Sequence, residues 1–239
     1  MSGQSGGRGS ADQLALPLEP DAGAERLPAR IEPMRASSAD APFDDDDYFF
    51  EPWWPGARTF AFVDGGRLRL QTEHLGNPLG TFPELGVIAS QLLADGVVLD
   101  GTLLVLDAEG RPDSDLLRRR LAEAGAIGGT GAFVASDLLW VDGAPIVEQP
   151  FERRRQRLGA VLRDGDLCVA SRGLRGEGIT LASAVASMGI EAVSARCMDG
   201  RWRPGDAGDD WLRLPVNDTP ASETRPLLVL LQRLPLDAA

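Results

Sequence analysis

Lysine is absent: every one of the 24 basic side chains in the 239 residues is an arginine. Average soluble chains use lysine freely, and a high-GC coding bias accounts for its loss here together with the richness in Ala, Gly and Arg. The chemical consequence is the same whatever the origin. A guanidinium stays protonated with a pKa above ~12, so it cannot serve as a neutral amine nucleophile. Histidine is nearly absent too, with His74 alone, and no G-x-S-x-G is present, which removes a serine–histidine–acid triad; His74 reads as a surface or hairpin residue. The two cysteines, Cys168 and Cys197, lack metal-ligand spacing and read as buried reduced thiols. No apolar run approaches the length of about 18 residues that a membrane helix needs. The N-terminus "MSGQSGGRGSADQLALPLEP" lacks the charged-then-apolar order of a secretory signal, so a cytoplasmic location with no membrane contact is expected. A formal charge of −12, partly held in the run Asp44 to Asp47, argues against a module that grips nucleic acid by its own basic field, and weak or no direct binding to nucleic acid is expected.

Against these absences stands an ordinary apolar content, enough for a real core. Residues 1–28 are rich in Gly, Ser, Ala, Asp and Pro and are expected to be disordered. One domain is expected over 29–216, followed by a short tail, 217–239, able to supply one strand or a short helix. "RTFAFV" and "RLRLQT" flank Asp64-Gly65-Gly66, a hairpin signal because these residues accept the positive φ of tight turns. "FPELGVIASQLLADG" sets Leu85, Ile88, Leu92 and Leu93 at helical spacing and predicts one amphipathic helix stopping at Gly96. "VVLDGTLLVLDAEGRP" predicts two buried strand segments and a turn, with a short helix at "DSDLLRRRLAEAG". "AFVASDLLWVDG" predicts a strand with an Asp-Gly turn, "PFERRRQRLGAVL" and "GITLASAVASMG" helices, and "IEAVSAR" and "DWLRL" closing strands. Hairpins and helices mix without regular βαβ alternation, so the fold class is α+β on antiparallel sheet.

Taken in order, "LPARIEPMRASSADAPFDDDDYFFEPWWPGAR", "VVLDGTLLVLDAEGRP", "FVASDLLWVDG", "PFERRRQRL", "MGIEAVSARCMDGRWRPG" and "DWLRL" resemble the adenylation domain of ATP-dependent DNA ligases, of the bacterial repair type, over about residues 27–215. The resemblance implies the ligase nucleotidyltransferase fold, an ATP-grasp-like architecture. In that family a motif of the form E-P-K-W-D-G-x-R carries the lysine that attacks the α-phosphate of ATP. Here the same stretch reads Glu51, Pro52, Trp53, Trp54, Pro55, Gly56, Ala57, Arg58. Trp53 stands in the lysine's place and Pro55 in the aspartate's, while Glu51, Gly56 and Arg58 match.

Other motifs of the resemblance change in the same direction. The D-G-E strand becomes Asp100, Gly101, Thr102, keeping a glycine turn and losing the carboxylate. The S-R-x-G element becomes Thr72, Glu73, His74, Leu75, Gly76, with an acid where an arginine is expected. Ser136 replaces the aromatic that packs on adenine, and Phe133 is a nearby substitute. Arg196 and Arg213 take two lysine positions, the second followed by Pro215, and can still fork onto phosphate oxygens. Trp53 and Trp54 read as fillers of the vacated pocket, with a stacking platform as the alternative.

Several features have plainer readings. Arg118 to Arg120, and Arg153 to Arg155 with Arg157, read as solvated helix faces with ion pairs to Glu123 and Glu152. "GAIGGTGAF" reads as a flexible connection, since a phosphate loop would end in Lys-Ser/Thr. Asp107, Asp113 and Asp115 leave a metal site open but unforced. The expected function is a catalytically silent relative of a ligase adenylation domain, an interaction or regulatory module in DNA repair whose partner is an active ligase or another repair protein. The ligases it resembles carry a following OB-fold, and the tail after residue 216 is expected to be too short to form one. The alternatives are a reversible nucleotide or phosphate binder using Arg58, Arg196 and Arg213, and a ligase component completed by a partner that supplies lysine and OB-fold. No cofactor is required on this reading; ATP with magnesium is what the resemblance implies, and the altered motifs count against it.

Overall fold

An apolar run before Asp64-Gly65-Gly66 and an alternating one after it build the first hairpin in the computed structural model, which describes residues 27–73, 75–122, 128–216 and 226–232. Both glycines take positive φ, 56° and 71°, the geometry a two-residue turn requires. His74, the segment 1–26 and Glu123 lie outside the described residues.

Three strands precede that hairpin: the short β1 (Met34–Arg35) and β2 (Ser37–Ser38) and the longer β3 (Asp45–Pro52). The hairpin itself is β4 (Ala57–Asp64) and β5 (Arg67–Thr72). Next come α1 (Pro78–Thr81), α2 (Ile88–Gln91), β6 (Val97–Leu106), α3 (Ser114–Ala122), β7 (Thr130–Val141) and β8 (Ala144–Pro145). The chain continues through α4 (Phe151–Val161), β9 (Cys168–Ala170), β10 (Leu174–Gly176), α5 (Gly178–Ala186), β11 (Ala192–Cys197), β12 (Gly205–Asp206), β13 (Trp211–Pro215) and α6 (Leu227–Gln232).

The strands form a six-stranded sheet along β5-β4-β6-β7-β8, with β9 beside β7, and a five-stranded sheet in the order β10-β3-β11-β13-β2. Pairing is antiparallel except for β1–β12, β13–β2 and β7–β9, so the α+β antiparallel class holds. Side-chain alternation then sorts the core. Val193 and Ala195 of β11 and Leu212 and Leu214 of β13 face α5 through Leu181 and Val185. They also meet Leu104 and Val134 from the other sheet, and Leu227 and Leu231 of α6 join them. The far face of the six-stranded sheet buries Leu99, Leu103, Phe133 and Leu138 with Leu158 of α4.

Two expected elements differ. The single helix expected at 82–96 is a 3-10 turn, Pro83–Val87, followed by the four-residue α2. Leu85 and Ile88 are fully buried, but Leu93 is 56 % exposed and its N–H reaches the Val161 carbonyl at 2.8 Å. Tertiary hydrogen bonds thus outcompete the last helical turn. The two segments expected in "VVLDGTLLVLDAEGRP" are one strand, β6, whose register against β7 slips between Val98 and Leu99 and between Asp100 and Gly101. Gly101 sits inside that strand and forms no turn. A Cβ there would collide with the Val134 carbonyl, so glycine permits close approach of the two backbones.

Candidate functional site

Period-two alternation turns the remaining side chains of the five-stranded sheet to its opposite face, and that face lines a cavity of about 310 Å³. Glu51 comes from β3, Ser194 and Arg196 from β11, Trp211 and Arg213 from β13. The wall facing them holds Arg58 of β4, Asp100 and Thr102 of β6, and Ser136 of β7. The volume lies at the small end of ligand pockets, roughly 300–1,000 Å³. Trp53, at the turn between β3 and β4, belongs to its wall and stacks on Trp211 with centroids 5.7 Å apart. Trp54 is buried and donates its indole N–H to the Ser171 hydroxyl at 2.9 Å. The tryptophans therefore fill part of the space and leave the rest open. Gly56 is forced by the crowded turn, where a Cβ would collide with the Leu103 carbonyl and Thr102.

Charge beneath this cavity is unevenly matched. Its lining carries four arginines, Arg35, Arg58, Arg196 and Arg213, against two carboxylates, Glu51 and Asp100. Asp100 is fully engaged: the Arg58 Nε donates to Oδ1 at 2.9 Å, another Arg58 nitrogen to Oδ2, and Trp202 Nε1 to Oδ2 at 3.0 Å. Arg58 also donates to the Met34 carbonyl, so its guanidinium is neutralised within the fold. Arg196 is only 3 % exposed, lies 3.9 Å from the Trp211 ring centroid and 5.4 Å from that of Phe151, and its Nε has no hydrogen-bond partner among the described residues. Burial pushes its pKa below the usual guanidinium value, opposed by Asp137, Asp100 and Glu51. Arg213 faces the Trp53 ring at 5.5 Å. Among the described residues no ion pair or side-chain hydrogen bond engages Arg35, Arg196 or Arg213.

The structure gathers Glu51, Trp53, Arg58, Thr102, Ser136, Arg196 and Arg213 around one cavity, and leaves out two residues singled out with them. Pro55 is half-buried on the turn, and Pro215 ends β13 opposite Ala192. Phe133 cannot replace an adenine-packing aromatic, because it faces the core on the other side of the sheet. Arg35, on β1, was not visible in the sequence as a site residue; only the short parallel pairing of β1 with β12 brings it to the rim.

The arginine clusters are not plain solvated faces. Arg154 and Asp137 form a buried pair, Nε to Oδ1 at 2.9 Å and Nη2 to Oδ2 at 2.8 Å. Buried Arg155 reaches the Ser171 and Ser136 carbonyls, and Arg120 holds Glu84 at 2.7 Å. Arg153, Arg157, Arg118 and Arg119 are the exposed members.

A magnesium ion needs oxygen ligands in near-octahedral array, commonly from one or two carboxylates plus phosphates. In this cavity Asp100 is already claimed, Thr102 offers no carboxylate, and Glu51 is 2 % exposed within the field of Arg196. Nor is there, among the described residues, any group of three His, Cys, Asp or Glu able to hold a metal. Asp107 binds Arg111 at 2.7 Å, Asp113 caps α3 through the Leu116 N–H at 2.9 Å, and Asp115 pairs with Arg118 at 2.8 Å. The donor set does not fit the ion.

A curled, mostly antiparallel pair of sheets with an arginine-lined cavity at their junction defines a nucleotidyltransferase-type domain. Residues 33–214 match the ATP dependent DNA ligase domain, and the chain belongs to that family. It is 28% identical over 187 residues to the multifunctional non-homologous end joining protein LigD of Mycolicibacterium smegmatis, covering 78% of this chain and 24% of that relative. It is 23% identical over 184 residues to a prophage-derived DNA ligase-like protein, LigB, of Bacillus subtilis, covering 77% of this chain and 67% of the other. The chain thus spans about a quarter of the length of the LigD proteins it matches. A mycobacterial DNA ligase D complexed with ATP and MES superposes with a TM-score of 0.65 at 27% identity, covering 77% of this chain and 60% of that one. The ligase–adenylate of Chlorella virus, at 13% identity and a TM-score of 0.53, shares the fold.

Proposed function

We propose that this domain forms no covalent nucleotide intermediate and binds a phosphorylated ligand reversibly in the cavity, serving as an interaction or regulatory module in DNA repair. The observation that carries the reading is the pairing of an open, arginine-rich cavity with Trp53 in the position of the attacking amine. Covalent nucleotidyl transfer by this family requires a lysine, and an indole nitrogen has no available lone pair to replace it. Arg196 and Arg213 supply the forked donors that phosphate oxygens accept. The relatives named for non-homologous end joining support a repair setting, with an active ligase or another repair protein as partner.

Two measurements test this. After incubation with α-labelled ATP and magnesium, the denatured chain should carry no label; a stable labelled band would overturn the silent-site reading. Nucleotide or pyrophosphate should raise the melting temperature with the logarithm of ligand excess, because binding to the folded state at 100 times Kd contributes about 2.7 kcal/mol. A melting temperature indifferent to every phosphorylated ligand would remove the binding function.

A further inference from the structure

We propose that the cavity takes its phosphorylated ligand as the free, metal-unbound anion, with Arg35, Arg196 and Arg213 supplying the positive charge that a divalent cation would otherwise bring. This rests on the reversible-binding reading above and adds the form in which the ligand enters. Arg196 is nine-tenths buried, lines the cavity, and its Nε has no hydrogen-bond partner among the described residues. A desolvated guanidinium with an unsatisfied N–H is costly to bury, and an anionic oxygen in the cavity offsets that cost. Arg213 and Arg35 stand on the same wall and rim without ion pairs among the described residues.

One of the two lining carboxylates points the same way. Asp100, which could have offered oxygens to a metal, accepts from Arg58 and Trp202, and Thr102 presents a hydroxyl and a methyl instead of an acid. Three arginines can each fork onto phosphate oxygens. In a magnesium–polyphosphate complex those oxygens are already occupied and their charge partly cancelled. Magnesium and the arginines therefore compete for the same atoms, and added magnesium should weaken binding.

The test is isothermal titration of the full chain with inorganic pyrophosphate, ATP and AMP, in EDTA and in excess magnesium chloride at matched ionic strength. Pyrophosphate and ATP should bind in EDTA and weaken about tenfold in magnesium, whereas AMP, whose single phosphate holds magnesium poorly, should be unmoved. Equal or tighter binding of pyrophosphate and ATP in magnesium overturns the proposal while leaving reversible binding intact. No binding of any of the three in EDTA overturns the reversible-binding reading itself. ATP binding tighter than pyrophosphate identifies a nucleotide as the source of the phosphate chain, and equal affinities identify the bare chain. Arg35→Gln, at an exposed position, should weaken pyrophosphate about fivefold with no change in melting temperature; unchanged affinity would remove Arg35 from the site.

Discussion

Arg196 concentrates the conflict between folding and binding in one side chain. It sits over Trp211 at 3.9 Å with its Nε unpartnered among the described residues, and burial already pulls its pKa below the ordinary value. The nearby acids Asp137 and Asp100 are pinned by Arg154 and Arg58, and Glu51 is the remaining acid that favours its charge. Replacing it by an apolar side chain of similar length removes a desolvated charge and keeps the contact with the rings. Arg196→Met is therefore expected to raise the melting temperature by about 2–4 °C, equivalent to about 1 kcal/mol for a domain of this size. The same change should lower affinity for pyrophosphate at least about tenfold. Scanning calorimetry and titration on one preparation check both. A variant that loses stability as well as binding would mean that Arg196 is a structural cation and would remove it from the ligand site. Gains of this kind are common where a site keeps a strained group for function.

Between elements, the clearest test lies at Glu84, which joins the 3-10 turn to α3 and β7. It accepts from Arg120 at 2.7 Å and from the Gly131 N–H at 2.6 Å, while Arg120 also covers the Phe82 ring at 4.2 Å. Desolvation pushes the Glu84 carboxyl up, but the hydrogen bonds from Arg120 and Gly131 outweigh it and hold its pKa below the ordinary 4.5. A depressed carboxylate contributes stability that is fully present above the unfolded pKa and is lost as pH falls through the folded one. Glu84→Gln should thus cost about 1–3 kcal/mol at neutral pH and flatten the fall in melting temperature below pH 4.5; parallel curves for the two proteins would remove Glu84 from the acid limb. The sequence shows why such contacts are hard to foresee. Strands β4, β5, β7, β11 and β13 are legible from short apolar runs and Asp-Gly turns because local and tertiary preferences agree. Burial of Arg154 and Arg155 is also readable in principle, since they share a helical face with Phe151 and Leu158 at i, i+3, i+4 and i+7. An arginine on an apolar face signals a buried partner across the fold, and here Asp137 is that partner. The break after Gln91 was not readable: Leu92 pairs with Leu162 and Leu93 bonds to Val161, contacts set by a segment some seventy residues away. In the site, the motif positions 51, 53, 58, 102, 136, 196 and 213 were legible as a set, whereas Arg35 and the commitment of Arg58 to Asp100 depend on pairings that no local pattern encodes.

Across the whole molecule two fields oppose each other. The chain carries a formal charge of −12, yet its cavity holds four arginines against two carboxylates. A small anion approaching from solution meets repulsion first and attraction only near the cavity, because exposed charges act over a Debye length of about 8 Å at physiological ionic strength. Added salt screens both fields. It weakens the arginine contacts and also removes the outer repulsion, so the two effects partly cancel. Pyrophosphate affinity is expected to change less than about threefold between roughly 50 and 300 mM NaCl, a shallower dependence than three arginine contacts alone would give. Duplex DNA is too extended to place its charge inside the cavity and leave the acidic exterior untouched. Nick-containing duplexes are accordingly expected to show no mobility shift with this chain alone at the lower salt concentration, where an electrostatic DNA binder would be strongest. A clear shift there, lost on raising the salt, would show that a local basic surface overrides the net charge, and the partner-dependent role proposed for this domain would give way to direct engagement of DNA.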